Sequence, residues 1–289
     1  MRRLFLSIVL VSIGCFAAFA RAEDGFPDQL EKARERGTLE VSVYRDYPPY
    51  SYEVKGQYTG IDVDLAAALA QELGLKLTLR PFIAGDDLDD DLRNQVWRGS
   101  LLGGGVGDVM MHVGADPEYI QRQSKVSIFG IYLHESIVLA LRPNRFKTFV
   151  SMEQLKDKKT GVELGSISDL YLSDVYGGSL RESVARFPTA SAAVKAFIDD
   201  EIDALMLPRG EMQGLTTLQG GAAFKASEVT FKGLFRNKWD IGVAVKTGSP
   251  ALKTALQTAL TTLMSSGKLA EIYARYGLDY ALVGAVNAE

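Results

Sequence analysis

The chain has 289 residues, 47% of them hydrophobic, and 32 basic against 36 acidic side chains give a formal net charge of −4. That balance lacks the basic excess of a nucleic-acid or anionic-membrane surface, so no nucleic-acid partner is expected, and the apolar content excludes a disordered chain. The length exceeds one ordinary core and predicts two lobes.

Arg2 and Arg3 precede an apolar run from Leu4 to Ala20, and Ala20-Arg21-Ala22 then offers a small-x-small cleavage pattern before Glu23. The run is about 17 residues, short of the roughly 20 a membrane span needs. Residues 1–22 therefore read as a cleavable signal peptide, and the mature chain as a protein exported from the cytoplasm. Cys15, the single cysteine, falls inside that segment, which removes disulfides and thiolate metal sites from the mature chain. Ser12 stands where a lipoprotein signal usually carries a leucine-like residue, which argues against a lipid anchor on Cys15.

The polar run "FPDQLEKARERG" reads as a short opening helix closed by Gly37, and "TLEVSVY" as a strand from Thr38 to Tyr44. Apolar residues at helical spacing from Asp62 to Leu73, with Gly74 behind them, predict a helix, and "KLTLRPF" predicts the next strand. Strand, helix and strand in that order imply a βαβ unit and a parallel sheet. Asp91 to Arg98 reads as a helix, "GSLLGGGVG" as a loop and "DVMMHV" as a buried strand. "ESIVLALR", from Glu135 to Arg142, is β-prone. "SMEQLKD" then reads as a short helix and "KTGVELG" as a strand; "SDLYLSDVY", "TASAAVKAFIDDE" and "IDALML" read as helix, helix and strand. "KWDIGVAVKTG" is a further strand, and from Ser249 as N-cap and Pro250 as first helical residue the chain is helical to its end.

Five of these segments, "VSVYRDYPPYSY", "GQYTGIDVDLAAALAQELGLKL", "SMEQLKDKKTGVELGS", "AVKAFIDDEIDALML" and "IGVAVKTGSPALKTALQTALTTLMSSGKLAEIYARYG", together resemble the family 3 extracellular solute-binding proteins of bacterial ABC importers. The resemblance spans the mature chain in order. It implies an α/β, two-lobed periplasmic-binding-protein fold of type II, each lobe a mainly parallel sheet flanked by helices. Residues 24–134 and 240–289 would form lobe 1 and residues 135–239 lobe 2, with a hinge of two crossings near Glu135 and from Arg236 to Asp240. Ligand would bind between the lobes, near the carboxyl ends of the strands, and the loaded protein would serve a permease in the inner membrane from the periplasm.

Aligned on Pro48-Pro49, where the missing N–H stops a strand, Tyr44 and Tyr47 take positions that line the cleft in this family, while Tyr50 and Tyr52 read as core. Amino-acid binders of the family carry a Thr-x-Glu-Arg-like run whose arginine clamps the ligand carboxylate. Here Ala115 takes the threonine position and Tyr119 the arginine position, and Arg122 lies one helical turn further on, as a substitute clamp or a solvated helix face. The aspartate that would pair with a ligand ammonium is replaced by Pro208, followed by Arg209. Losing both anchors demotes an ordinary α-amino acid as ligand. Arg209, with hydroxyl and backbone donors from Ser166, Ile167 and Ser168 at a helix start, points to a small polar ligand that is anionic or aromatic. His112 ends the "DVMMH" strand near the expected cleft.

Asp86, Asp87, Asp89, Asp90 and Asp91 enter a helix, as capping and the helix dipole favour, and their spacing does not fit an EF-hand, so no metal is expected. No nucleophile triad or P-loop is present and no cofactor is expected, so the chain reads as a binding protein and not an enzyme. Two alternatives follow from the resemblance. One is a periplasmic accessory of a PQQ-dependent methanol or alcohol dehydrogenase; the other is a cyclic-acid dehydratase using Glu211 or Glu163 as its general acid.

Overall fold

The computed structural model describes residues 28–101, 103–227, 231, 233 and 236–283. The expected signal segment, residues 1–22 with Cys15, lies outside the described residues.

Asp28 caps α1 (Gln29–Arg36) by accepting from the Leu30 N–H, and Gly37, at φ 72°, closes it in the left-handed conformation that suits glycine. β1 (Thr38–Tyr44) follows. After the proline pair a hairpin of β2 (Tyr52–Val54) and β3 (Gln57–Thr59) leads into α2 (Ile61–Glu72), and β4 (Lys76–Phe82) returns parallel to β1, Thr38 opposite Lys76 and Tyr44 opposite Phe82. This is the predicted βαβ unit. The helix expected from Asp91 begins earlier, as α3 (Leu88–Leu92), because Asp87 accepts from the Asp90 N–H and so caps it; it continues as a π-helical turn from Arg93 to Trp97. β5 (Val109–Gly114) lies parallel to β1 on its other side, and α4 (Pro117–Arg122) follows.

β6 (Val126–Leu141) is 16 residues long, twice the predicted Glu135–Arg142 run. Its first part was illegible because Gly130, at φ 63°, breaks the pattern at an irregularity in the pairing with the later strand. The second lobe then builds β7 (Thr160–Glu163), α5 (Ile167–Gly178), β8 (Val184–Phe187), α6 (Ala190–Ile198), β9 (Ala204–Pro208), α7 (Arg209–Leu218) and the short β10 (Ala226–Ser227). β8 has no strong sequence signal: its four residues include Ala185 and Arg186, and pairing with β7 makes it a strand. β11 (Lys238–Lys246) returns antiparallel to both β5 and β6. The final helical stretch is divided by Gly267 and Gly277 into α8 (Pro250–Ser265), α9 (Lys268–Arg275) and α10 (Tyr280–Val283).

The strand order is β4-β1-β5-β11-β6-β9-β7-β8, with β10 paired to β6. Parallel pairs lie toward both ends, and the antiparallel β11 and β6 run through the middle. β6 holds β11 along its first part and β9 from Ile137 to Leu141, so one strand belongs to both lobes. Each lobe packs apolar clusters on both faces of its sheet, as parallel strands require. In lobe 1 Leu39, Val41, Leu65 and Leu256 fill one face and Phe82, Val96, Met110 and Val113 the other. In lobe 2 Val162, Leu172 and Met206 oppose Val194, Phe197 and Leu205. Among the described residues no helix is long and apolar enough to cross a membrane.

Candidate functional site

The strands β1 and β4 end at Tyr44 and Phe82, and the chain turning away beyond them leaves a cavity of about 460 Å³ lined by Tyr44, Arg45, Tyr47, Phe82, Ile83 and His112, among others. A second cavity of about 310 Å³ shares Asp46 and Tyr47 with the first and is closed from the other lobe by Glu163, Ser191, Glu211 and Leu215. Tyr47 is thus a partition between a pocket on lobe 1 and the space between the lobes.

The aromatic wall is ordered by contacts among the rings. Tyr44 lies 4.6 Å from Phe82 and 6.1 Å edge-on from Tyr47, and Tyr47 is 4.9 Å edge-on from the His112 ring. Each hydroxyl has a carboxyl partner. Tyr44 donates to Asp91 Oδ2 at 2.8 Å, Tyr47 to Glu211 Oε1 at 3.1 Å, and the fully buried Tyr50 to Glu135 Oε2 at 2.9 Å. Glu135, where β6 crosses between lobes, also accepts from the Gly210 N–H through both oxygens. Burial, reinforced by these carboxyl neighbours, pushes all three phenols well above their ordinary range.

The carboxyls respond in the same direction. Burial, with the nearby Glu135 and Glu163 adding to it, pushes Glu211 up to about 8, against the opposing pull of the Tyr47 hydrogen bond. Burial also raises Glu135 and Glu163. The cavity between the lobes is therefore lined in part by two carboxyl groups, Glu163 and Glu211, whose charged forms burial disfavours.

Three of the sequence-predicted residues, Tyr44, Tyr47 and His112, come together here. Tyr50 is core, as expected, but is also bonded to the crossing strand; Tyr52, expected in the core, is instead half-buried in the short hairpin and lines the second cavity beside Tyr47. Arg209 is placed elsewhere. It is buried and lines a separate cavity of about 270 Å³ with Met212, Thr216 and Phe224. The reason is helical geometry: Arg209 and Glu211 are two positions apart at the start of α7, roughly 200° around the axis, so when Glu211 meets Tyr47 Arg209 turns away. Arg122 is exposed, its guanidinium 5.9 Å from the Tyr119 ring, and lines neither tyrosine pocket, which agrees with the solvated-face alternative. Ser166 caps α5 by accepting from the Asp169 N–H, Ile167 is 44% exposed beside Leu170, and Ser168 is buried; none of the three lines a tyrosine pocket.

The acidic run is absorbed by local bonding. Asp87 caps α3, Asp89 accepts from the Tyr119 hydroxyl at 2.6 Å and from Gln123, Asp90 pairs with Arg93, and Asp91 accepts from the Gly85 N–H and Tyr44. Among the described residues no group of three or more His, Cys, Asp and Glu side chains is arranged to hold a metal ion. Asp62 and Glu135 were missed as site residues; a carboxylate in the first turn of α2 and another opening a β run look like ordinary surface positions until the tertiary structure buries them.

A family model described as bacterial extracellular solute-binding proteins, family 3, matches residues 39–97, the segment holding β1, the tyrosine loop, α2 and β4. Over that segment the chain is similar to this family. L-cystine-binding protein TcyJ of Escherichia coli K12 is 25% identical over 246 residues, 83% of this chain and 82% of that protein. Cyclohexadienyl dehydratase of Pseudomonas aeruginosa is 39% identical over 72 residues, 24% of this chain and 27% of that protein. Among solved structures, an ancestral cationic amino acid solute-binding protein superposes with a TM-score of 0.68 at 23% identity, covering 86% of this chain and all of that one. The chain thus has the two-lobed type II fold. The relatives' names lend no support to a dehydrogenase partner.

Proposed function

We propose that this protein captures, in the periplasm, a small solute with a flat apolar part and a protonated nitrogen, and delivers it to an ABC permease. Lobe 1, residues 24–134 and 240–289, would close on lobe 2, residues 135–239, about the crossings of β6 and β11. The observation that carries the reading is Tyr47, whose ring faces the aromatic pocket while its hydroxyl meets Glu211 from the other lobe. The aromatic part of the sequence expectation is kept. The anionic part rested on Arg209, and the groups around the interlobe cavity are instead Asp46, Glu53, Glu163 and Glu211. A carboxyl held at about 8 gains most from a cation, whose arrival favours the ionised form and releases a proton. Ala115 and Tyr119, in place of a threonine and a clamping arginine, remove the demand for an α-carboxylate. The names of a cystine binder and a cationic amino acid binder, both for amine-bearing ligands, point the same way.

Benzamidine and benzoate test this, being flat rings of similar shape with opposite charge. A bound ligand at a hundred times its Kd stabilises the native state by about 2.7 kcal/mol. Benzamidine is expected to raise the Tm and to release protons on binding in calorimetry; stabilisation by benzoate alone would overturn the cationic assignment. A second reading, a dehydratase, is favoured by Glu211 at about 8, the range of a general acid at neutral pH. Turnover of a cyclic acid that is abolished by Glu211→Gln would replace the transport reading.

A further inference from the structure

β5 changes hand at His112. Val109 and Met111 pack on one face of the lobe 1 sheet, but Met110 and Val113 share the other, so the two-residue alternation slips at His112. The pairing shows the same slip, Gly242 of β11 facing Val113 and Ala244 facing Met110, so that two residues of β5, Met111 and His112, stand against one of β11, Val243. His112 sits at φ 58°, a conformation uncommon for residues other than glycine. A bulge of this kind re-aims a side chain, and here it turns the imidazole into the tyrosine pocket.

Behind the ring lies a buried support. His112 Nδ1 is 2.9 Å from Asp62 Oδ2, and the Tyr132 hydroxyl donates to Asp62 Oδ1 at 2.7 Å while accepting from the His112 N–H at 2.9 Å. Tyr132 is itself held by Tyr273, which donates to its carbonyl at 2.6 Å. Asp62 is 1% exposed and lies in the first turn of α2, where the helix dipole favours a carboxylate. A carboxylate only accepts, so a neutral imidazole carries its proton on Nδ1 and leaves the Nε2 lone pair without a hydrogen bond among the described residues.

We infer that His112 is a ligand-contacting, specificity-determining residue whose Nε2 accepts a hydrogen bond from an N–H or O–H of the solute, and that Asp62 is the positioning residue that sets its tautomer. The inference rests on the proposed binding function and narrows it: the ligand presents a donor to His112 in the lobe 1 pocket, whose rim Arg45 also lines. Acceptor-only head groups are rejected because they would face a lone pair.

The test uses the mature protein at pH 8, with benzamidine and phenol as donor probes. His112→Asn keeps a donor toward Asp62 and suits the left-handed backbone, but has no Nε2. It is expected to retain the wild-type Tm without ligand and to lose at least tenfold in affinity for both probes. Asp62→Asn turns an amide N–H toward Nδ1, so nitrogen NMR of the imidazole should show the proton moved to Nε2, with benzamidine binding again at least tenfold weaker. The chain has two histidines, and a His134→Gln variant assigns the signals. Affinities in His112→Asn within twofold of wild type, or a proton on Nε2 in the wild-type protein, overturn the acceptor role alone. Failure of both probes to bind the wild-type protein overturns it together with the proposed function.

Discussion

Glu211→Gln is expected to change how stability depends on pH more than it changes stability at any acidic pH. The unfolded chain releases the Glu211 proton near 4.5 and the folded chain near 8, because burial and the neighbouring Glu135 and Glu163 disfavour the charge. Between those values the folded state binds more protons than the unfolded state, so stability falls as pH rises, by about 1.4 kcal/mol per pH unit. The favourable contribution is complete below 4.5 and gone above about 8, a span on the order of 5 kcal/mol as an upper bound. Glutamine has nearly the same shape, and its carbonyl still accepts from Tyr47, but it does not ionise. Urea unfolding from pH 5 to 9 should therefore show wild type and variant within about 1 kcal/mol at the acid end, and the variant more stable by several kcal/mol at pH 8.5. Glu135 and Glu163 are coupled to Glu211 by charge, so they ionise more readily in the variant, which adds to its advantage at high pH. Parallel stability curves would refute the assignment of Glu211 as a buried, protonated group.

Gly60→Ala is expected to destabilise by about 3 kcal/mol or more, read by urea unfolding. Gly60 sits at φ 128°, and an added Cβ would strike the backbone carbonyls of Tyr50 and Pro49. Arg122→Ala should leave benzamidine affinity unchanged within about twofold and stability within about 0.5 kcal/mol, measured by calorimetry and thermal unfolding, since the side chain is exposed and outside both tyrosine pockets; a tenfold loss of affinity would return Arg122 to the site.

Local chemistry made the first βαβ unit legible: the β-branched run of β1, the apolar spacing of α2 and the glycine after it all specify structure within a few residues. The family resemblance extended that to the two-lobed fold and brought Tyr44, Tyr47 and His112 into the site. β8, the length of β6 and the first turn of α3 were not legible, because each depends on a partner strand or a cap that local propensity does not weigh. Arg209 is the instructive displacement. Its position follows directly on that of an expected anchor, taken by Pro208, but the rotation of α7 decides which of Arg209 and Glu211 meets the cleft.

Sequence alone thus determined the order and type of the main elements, the absence of the usual zwitterion anchors and the aromatic character of one wall, since these follow from residue identity and short-range spacing. Tertiary structure decided the electrostatics. Only packing buries Glu211, Glu135 and Asp62, bringing together side chains such as Tyr47 and Glu211 that lie 164 residues apart. A carboxyl's proton affinity depends on the water removed from it and the charges gathered around it, neither of which is a property of its place in the chain.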